Sequence, residues 1–386
     1  MKSPILPLAG VLGLLAVAEP IAVRVVAAPA ADNVDPLDAV ALPTLIPVSW
    51  LVAPEPVAVL VGVLVLCIAT LLIFRWNRVA ESSLAILGAA SGLGLPFVLF
   101  ASTLTIGIGG WAALLAGLIL LTHALNRLAS REGVARTWLV PGLFGVAVLA
   151  LWEIVVRGFD VPLVLLPPPS LIARTSIDRL PVLADDFMQT VLHSALVGYA
   201  VGCAAGFAIA IACDRFPSLA KGLLPYANLF SAVPMIGIAP IMVMWFGFGW
   251  QSKAAVVIIV TVFPMMVNTL AGLEATDRIH LDLMRSLAAG YRHTLLKVRL
   301  PNALPFIFNA LKINSTFALI SAIVAEFFGT PIVGMGFRIS TEVARMNLSM
   351  VWATILVAAI AGSAVYGGLT LVERAVTSWH PSFRRD

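Results

Sequence analysis

Residues 252–273 read SKAAVVIIVTVFPMMVNTLAGL, and residues 274–301, which follow, read EATDRIHLDLMRSLAAGYRHTLLKVRLP. The first stretch holds a single charged residue, Lys253, and is about as long as a helix that crosses the hydrocarbon core of a bilayer. The second stretch is polar and contains five Lys or Arg residues. The same alternation of a long apolar segment with a polar loop recurs along the chain, and it predicts a protein that crosses a membrane many times.

The composition of the whole chain agrees with this prediction. Hydrophobic residues make up 60% and charged residues 11% of the 386 residues, with a mean hydropathy of +1.01, whereas a soluble domain carries about 25% charged residues. The net charge of +4 is too small to indicate nucleic-acid binding. We expect about ten transmembrane helices, at 4–29, 48–74, 83–102, 106–125, 138–156, 188–213, 222–246, 252–273, 303–325 and 349–372.

Charges in the loops predict the orientation of these helices. Lys and Arg follow the second, fourth, sixth, eighth and tenth segments, and such residues are retained on the cytoplasmic side. We therefore expect a multi-pass membrane protein with both termini in the cytoplasm. The first segment has an alternative interpretation as a cleaved signal peptide, because the small residues of 27–31 follow its apolar run.

A basic linker at 126–137 is the predicted boundary between two parts of the chain. It separates an N-terminal extension of about four helices, 1–125, from a longer part, 138–386. No internal repeat relates the two parts, which argues against the inverted repeats of many secondary transporters.

The loop at 274–301 has helical periodicity. Leu283, Leu287, Tyr291 and Leu295 recur every four residues, which predicts short amphipathic helices. Gly290 is the expected break between two such helices, and we expect the proline at 301 to end the second and begin the next span. On periodicity alone, these helices lie on the membrane surface and contact lipid headgroups.

The spacing within this loop resembles the signature of permeases of ABC importers. That pattern is Glu-Ala-Ala, three residues, Gly, nine residues, Ile, any residue, Leu-Pro. Here it falls on Asp282-Leu283-Met284, Ala288 and Val298-Arg299-Leu300-Pro301. Only the final Leu-Pro is identical.

Three further segments resemble the subgroup of these permeases that handles sulfonates, taurine, nitrate and bicarbonate. They are PMIGIAP at 234–240 with WFGFG at 245–249 and Ser252-Lys253, AEFFGTPIVGMG at 325–336, and LPPPS at 166–170. The resemblance covers about residues 138–380, and the first 137 residues have no counterpart in it.

The resemblance implies an all-α polytopic protein of the bacterial inner membrane, with a type I ABC importer core of about six helices after the N-terminal four. It also implies that loop 274–301 forms a coupling helix that docks on a separate ATPase. The implied partners are two ATPase subunits, a second permease chain in a homodimer, and a substrate-binding protein in the periplasm or outside the cell. ATP and Mg²⁺ are then bound by the ATPase, and this chain needs no cofactor and is not an enzyme. The implied coupling residues are Asp282, Leu283, Met284, Arg285, Leu287, Ala288, Gly290, Tyr291, Leu300 and Pro301.

Polar residues within the ninth segment mark a candidate translocation path, because polar groups in a membrane are costly and usually functional or paired. Asn309, Lys312 and Thr316 share one helical face. Lys312 either attracts an anionic solute or reaches toward headgroups or pairs with a carboxylate. Glu326 either holds the glycine-rich loop that follows it or lines an outer gate. The candidate path residues are Pro234, Met235, Asn309, Lys312, Thr316 and Glu326.

The sequence contains no recognisable catalytic or metal-binding arrangement. It has no GxxxxGK[ST] phosphate loop, no HExxH, and no paired cysteines. The alternative function is an ion-coupled secondary transporter that acts without an ATPase, for which Glu153 and Glu326 are the candidate carboxylates. Finally, Gly198, Gly202 and Gly206 recur every four residues, which predicts close contact with a neighbouring helix.

Overall fold

The structure is a computed structural model. It describes residues 5–26, 44–50, 53, 55–73, 78–101, 105–130, 137, 139–231, 235–329 and 332–379. Contacts between backbone segments divide the chain into two compact units, Met1–Ser170 and Leu171–Asp386. The division falls later in the chain than the predicted linker at 126–137, of which residues 131–136 lie outside the described part.

The first unit combines helices with a small antiparallel sheet, in which the central strand β1 pairs with β2 on one side and β3 on the other. Its elements are α1 (Ile5–Ala18), β1 (Ala22–Val26), β2 (Thr44–Val48), α2 (Glu55–Ile73), α3 (Arg78–Ala101), β3 (Thr105–Ile106), α4 (Ile108–Ala129) and α5 (Val140–Gly158). The predicted helices are present, but the sheet was not predicted.

The first predicted span is therefore wrong in its extent. The segment 4–29 holds a helix only as far as Ala18 and then strand β1, because Glu19-Pro20 interrupts the helix and proline disfavours a helical residue before it. Strand β1 then pairs from Ala22 opposite Val48 to Val26 opposite Thr44. The small residues of the possible cleavage site, 27–31, lie outside the described residues.

The second unit is helical throughout its described residues. Its elements are α6 (Pro169–Asp178, which begins two residues before the unit), α7 (Leu180–Phe187), a π-helical segment π1 (Met188–Leu196), α8 (Val197–Arg215), α9 (Pro217–Ser231), α10 (Met235–Phe246), α11 (Trp250–Glu274), α12 (Arg278–Ser286), α13 (Tyr291–Thr294), a π-helical segment π2 (Leu295–Arg299), α14 (Leu300–Glu326), α15 (Met335–Ala344) and α16 (Leu348–Thr377).

Ten apolar helices fall on the ten predicted segments, so the predicted fold class is confirmed. In 4–29, 48–74 and 222–246 the described apolar stretches are Leu8–Ala18, Glu55–Leu71 and Ile236–Phe246. Seven of the described helices are long and apolar enough to cross a membrane: Ser82–Phe100, Ile108–Ala129, Val140–Gly158, Leu180–Arg215, Trp250–Glu274, Tyr291–Glu326 and Leu348–Thr377.

The predicted span at 222–246 is not one helix in the described residues. Helix α9 ends at Ser231 and α10 begins at Met235, and Pro234 lies among the residues between them that the structure does not describe. Helix α10 continues through Pro240.

The prediction that Pro301 separates a loop helix from the next span is wrong. Helix runs without interruption from Tyr291 through Pro301 to Glu326. Just before the proline, the backbone N–H of Leu300 donates to the carbonyl oxygen of Leu295, five residues earlier. This wider π-helical turn replaces the α-helical turn into which the proline ring would otherwise project. The loop therefore contains one separate short helix, α12, rather than two.

Close contact between α8 and α11 confirms the prediction from the spaced glycines. Gly198, Gly202 and Gly206 are buried against α11, and a Cβ atom at Gly198 would lie 2.5 Å from the Cβ of Val257. A Cβ atom at Gly202 would overlap the hydroxyl of Thr261. Small residues therefore set the distance between these two helices.

Replacing Gly202 with alanine is expected to destabilise the second unit. The added methyl group has no space beside Thr261, and overpacking of this kind costs about 1–3 kcal/mol. Thermal unfolding of the purified protein in detergent measures the loss. The matched control is Gly145→Ala in α5, where a Cβ atom meets nothing within 4 Å and helix propensity favours alanine. Equal melting temperatures for the two variants would contradict the packing argument.

Candidate functional site

Helix α12 lies in loop 274–301 and is exposed to solvent, and hydrogen bonds define both of its ends. The side chain of Asp277 caps its first turn by accepting a hydrogen bond from the backbone N–H of Ile279 at 3.2 Å. None of its nine residues is buried. The cap and the sequence period fold this segment locally, and its faces remain open to a partner.

The end of α12 is a Schellman motif. The backbone N–H of Ala289 donates to the carbonyl oxygen of Met284 at 3.0 Å, and that of Ala288 donates to Arg285 at 2.9 Å. Ala288 has a φ of 51°, in the left-handed region that favours glycine. It occupies the position at which the signature pattern has Gly, so the turn itself explains that glycine.

One face of α12 is an exposed apolar stripe, formed by Ile279, Leu283 and Leu287. These side chains are four residues apart and are 73%, 55% and 67% exposed. Beside them, Asp282 and Arg285 form an exposed ion pair at 2.9 Å. An apolar stripe on an otherwise polar helix is typical of a surface that binds another protein.

Tyr291 does not belong to this stripe, although the four-residue period included it. Gly290 separates it from α12, and its hydroxyl donates to Asp214 at 2.7 Å, toward the interior of its own unit. Ile279 takes its place in the stripe. Sequence reasoning missed Ile279, yet its position four residues before Leu283 was a signal for it.

A partly buried ion pair fixes the base of this loop. Arg299 contacts Asp214, the residue before the end of α8, at 2.7 Å, and also donates to the carbonyl oxygen of Leu273 in α11 at 3.2 Å. With Tyr291, these contacts join α8, α11 and the start of the helix Tyr291–Glu326. The signature pattern allows any residue at 299, so nothing in it pointed to Arg299.

The candidate path residues differ in their surroundings. Asn309 and Thr316 are exposed on one face of α14, as their spacing predicts. Lys312 is paired with Glu373 of α16 at 2.7 Å. The sequence left three roles open for Lys312, and the structure shows one of them, the pairing with a carboxylate. Pro234 lies outside the described residues, and Met235 is described only by its backbone.

Glu326 is buried in a network that holds the loop after α14. Its carboxylate accepts hydrogen bonds from the hydroxyl of Thr190 at 2.9 Å and from the backbone N–H of Gly336 at 2.8 Å. Nearby, buried Asp186 accepts from the backbone N–H of Gly334 at 2.8 Å and pairs with Arg338 at 2.7 Å. This is the contact that the loop-holding role of Glu326 requires.

Lys253 joins two signature segments that are far apart in the sequence. Its side chain is fully buried, and its ammonium group donates to the carbonyl oxygens of Phe248, at 2.7 Å, and Gly329. Gly329 lies three residues after Glu326, at the start of the loop that Glu326 holds. Lys253 therefore joins the N-terminal end of α11 to the chain that follows the C-terminal end of α14.

No group of three His, Cys, Asp or Glu side chains in the part of the chain that the structure describes is arranged to hold a metal ion. The features that stand out are instead the apolar spans, their buried ion pairs and one capped, exposed helix. They define the class of the chain as a multi-pass helical membrane protein.

Comparison with known proteins narrows this class. The family described as the binding-protein-dependent transport system inner membrane component matches residues 202–378. The chain is 28% identical over 241 residues to the formylaminopyrimidine transport permease protein ThiX of Halalkalibacterium halodurans, covering 62% of this chain and 96% of that protein. It is 30% identical over 219 residues to a probable ABC transporter permease protein of Haemophilus influenzae, covering 57% of this chain and 89% of that protein.

A third relative is the taurine transport system permease protein TauC of Escherichia coli, 26% identical over 252 residues, covering 62% of this chain and 88% of that protein. The chain belongs to the family of ABC transporter permeases, in the subgroup whose members are named for sulfonates, taurine and bicarbonate. The family resemblance seen in the sequence is confirmed. Subunits of this family are generally non-catalytic.

Replacing Asp186 with asparagine is expected to destabilise the second unit by about 3–5 kcal/mol, because it leaves Arg338 without its buried counter-charge. The control is Asp178→Asn, whose partner Arg174 lies 3.8 Å away in an exposed pair worth at most about 1 kcal/mol. Thermal unfolding in detergent compares the two variants. A similar small loss for both would mean that Asp186 does not hold the loop.

Proposed function

We propose that the chain is the permease subunit of an ATP-driven importer and that helix α12 couples it to a separate ATPase. The observation that carries the proposal is the exposed apolar stripe of Ile279, Leu283 and Leu287 on a capped helix. A short amphipathic helix that fits a hydrophobic groove binds through side chains at this spacing. The alternative interpretation, in which α12 lies on lipid headgroups, does not account for the ordered Schellman motif at the end of this helix.

The connection between α12 and the spans supports this role. Four residues, 287–290, separate α12 from the helix Tyr291–Glu326, and the Asp214–Arg299 pair anchors the start of that helix to α8 and α11. Force applied to α12 by an ATPase therefore reaches a span through a short, hydrogen-bonded turn. A flexible loop would absorb the same displacement.

The proposed assembly contains two ATPase subunits, a second copy of this chain and a binding protein that delivers the solute. ATP and Mg²⁺ are bound by the ATPase, and this chain needs no cofactor. The loop charges support an orientation with both termini in the cytoplasm of a bacterial cell. The coupling residues of the sequence analysis stay in the proposal, with Tyr291 acting as an anchor and Ile279 added to the docking face.

The solute is proposed from the names of the relatives, which include an aminopyrimidine, aliphatic sulfonates, taurine and bicarbonate. They share small size and polar or anionic groups. Lys312 is compensated by Glu373, which argues against a role in attracting an anion. The exposed face of α14 with Asn309 and Thr316 is the proposed wall of the path.

The alternative, an ion-coupled secondary transporter, needs a carboxylate that is free to exchange a proton or bind an ion along the path. Glu153 instead pairs with Arg157 at 2.6 Å and accepts from the hydroxyl of Ser170, also at 2.6 Å. Glu326 is held by Thr190 and by the backbone N–H of Gly336. These bonds give both carboxylates structural roles and favour the importer.

Replacing Leu283 and Leu287 together with serine is expected to weaken ATPase binding at least tenfold, because burying each leucine contributes about 1.5–3 kcal/mol. The permease is reconstituted with an ABC ATPase encoded beside its gene, and both co-purification and vanadate-sensitive ATP hydrolysis are measured. The control is Leu296→Ser, a leucine outside α12 that is 62% exposed.

Two outcomes would contradict the proposal. The first is unchanged ATPase binding by the double variant. The second is uptake of taurine or an aliphatic sulfonate by proteoliposomes that hold the permease alone and a proton gradient, since an importer needs its ATPase.

A further inference from the structure

A groove beside the coupling region combines an apolar wall with basic groups. It lies between the last turns of α8 and the start of the helix Tyr291–Glu326, and its volume is about 670 Å³. Ile211 and Ala212 of α8 line one part, and Arg215, Arg292 and His293 line the other. It is separate from the stripe of α12 and from the candidate path residues.

Among the described residues, no ion pair neutralises the arginines of this groove. The nearest carboxylate, Asp214, already pairs with Arg299 and accepts the hydroxyl hydrogen of Tyr291. Neither Arg215 nor Arg292 has a carboxylate partner among the described residues. Positive charge in an open groove favours an anionic ligand.

The side chain of Arg215 is held in place by Tyr291. Its guanidinium group lies over the ring of Tyr291, 4.8 Å from the ring centroid, and the tyrosine hydroxyl is fixed by Asp214. This stacking holds the charge at the wall of the groove and leaves its N–H groups available for an oxygen ligand.

One part of the groove is apolar and the other is basic, which matches the apolar acyl chains and the charged headgroup of an anionic phospholipid. Ile211 and Ala212 belong to the apolar span Leu180–Arg215, and the basic groups begin where that span ends. The apolar wall suits an acyl chain, and the arginines beside it suit a phosphate group. A soluble anion would need only the basic half.

We propose that this groove binds an anionic phospholipid, with its phosphate between Arg215 and Arg292 and an acyl chain along the last turns of α8. Basic pockets at the surface end of membrane helices are suited to such headgroups. Since the groove adjoins Tyr291, the bound lipid contacts the anchor of the coupling region. This inference does not depend on which ATPase or solute the permease uses.

The experiment titrates the purified permease in detergent with phosphatidylglycerol, phosphatidylcholine and sn-glycerol 3-phosphate, and detects bound molecules by native mass spectrometry. Phosphatidylglycerol is expected to bind roughly tenfold tighter than phosphatidylcholine, given two unpaired arginines. Glycerol phosphate is expected not to displace it. Displacement by glycerol phosphate would overturn the proposal in favour of a soluble anion.

The variant Arg215→Gln with Arg292→Gln is expected to lose the preference for phosphatidylglycerol. The matched control is Arg278→Gln with Lys297→Gln, which removes the same charge from exposed positions that do not line the groove. An equal loss in the control would overturn the proposal, since it would reduce the effect to net charge.

Three further measurements keep the proposal testable if the double variant folds poorly. Arg215→Lys keeps the charge and is expected to keep the preference, while Arg292→Gln alone is expected to reduce it. Adding the ATPase is expected to leave the bound lipid in place. Release of the lipid on ATPase binding would identify the groove as part of the subunit interface and overturn the proposal.

Discussion

The ion pair between Asp214 and Arg299 is the contact on which the exposed part of the second unit depends. It is partly buried between the end of α8 and the first turns of the helix Tyr291–Glu326, and Arg299 also holds the end of α11 through the carbonyl oxygen of Leu273. It adds a fixed contact to the hydrogen-bonded turn that joins α12 to this helix. An ion pair of this kind contributes less to stability than apolar packing does, but it favours one arrangement of the helices that it joins.

The same constraint explains three further carboxylates of the second unit. In a bilayer, a charged or polar side chain must find its partner within the protein. Asp186 therefore pairs with Arg338, Glu373 with Lys312, and Glu326 with a hydroxyl and a backbone N–H. Each of these bonds joins two different helices. The few buried charges of this chain therefore fix the relative positions of helices that otherwise contact each other through apolar side chains.

The spans and their packing were predictable because they depend on local patterns. Length and hydropathy located ten helical segments, and the spacing of Gly198, Gly202 and Gly206 predicted the α8–α11 contact. The partners of Asp214 and Lys312 were not predictable, since they lie 85 and 61 residues away, and a single sequence carries no signal for such pairs. The sheet of the first unit escaped notice because its strands are short and apolar, like the ends of spans.

The helix in loop 274–301 was predictable in position and less so in detail. The period of four pointed to Leu283 and Leu287, but it continued across Gly290, where the chain changes direction and turns Tyr291 inward. Pro301 suggested a helix boundary, and the preceding π-helical turn removed the clash on which that expectation rested. In both cases, backbone geometry outside the local pattern decided the outcome.

The helix Tyr291–Glu326 has 36 residues and is therefore about 54 Å long, nearly twice the thickness of the hydrocarbon core. One of its ends adjoins the turn after α12, and the other carries the carboxylate that holds the loop at Gly336. Both ends therefore belong to one continuous helix, which passes the π-helical turn before Pro301 without a break. In the proposed importer, this helix gives the exposed α12 and the loop at Gly336 a direct connection through the backbone.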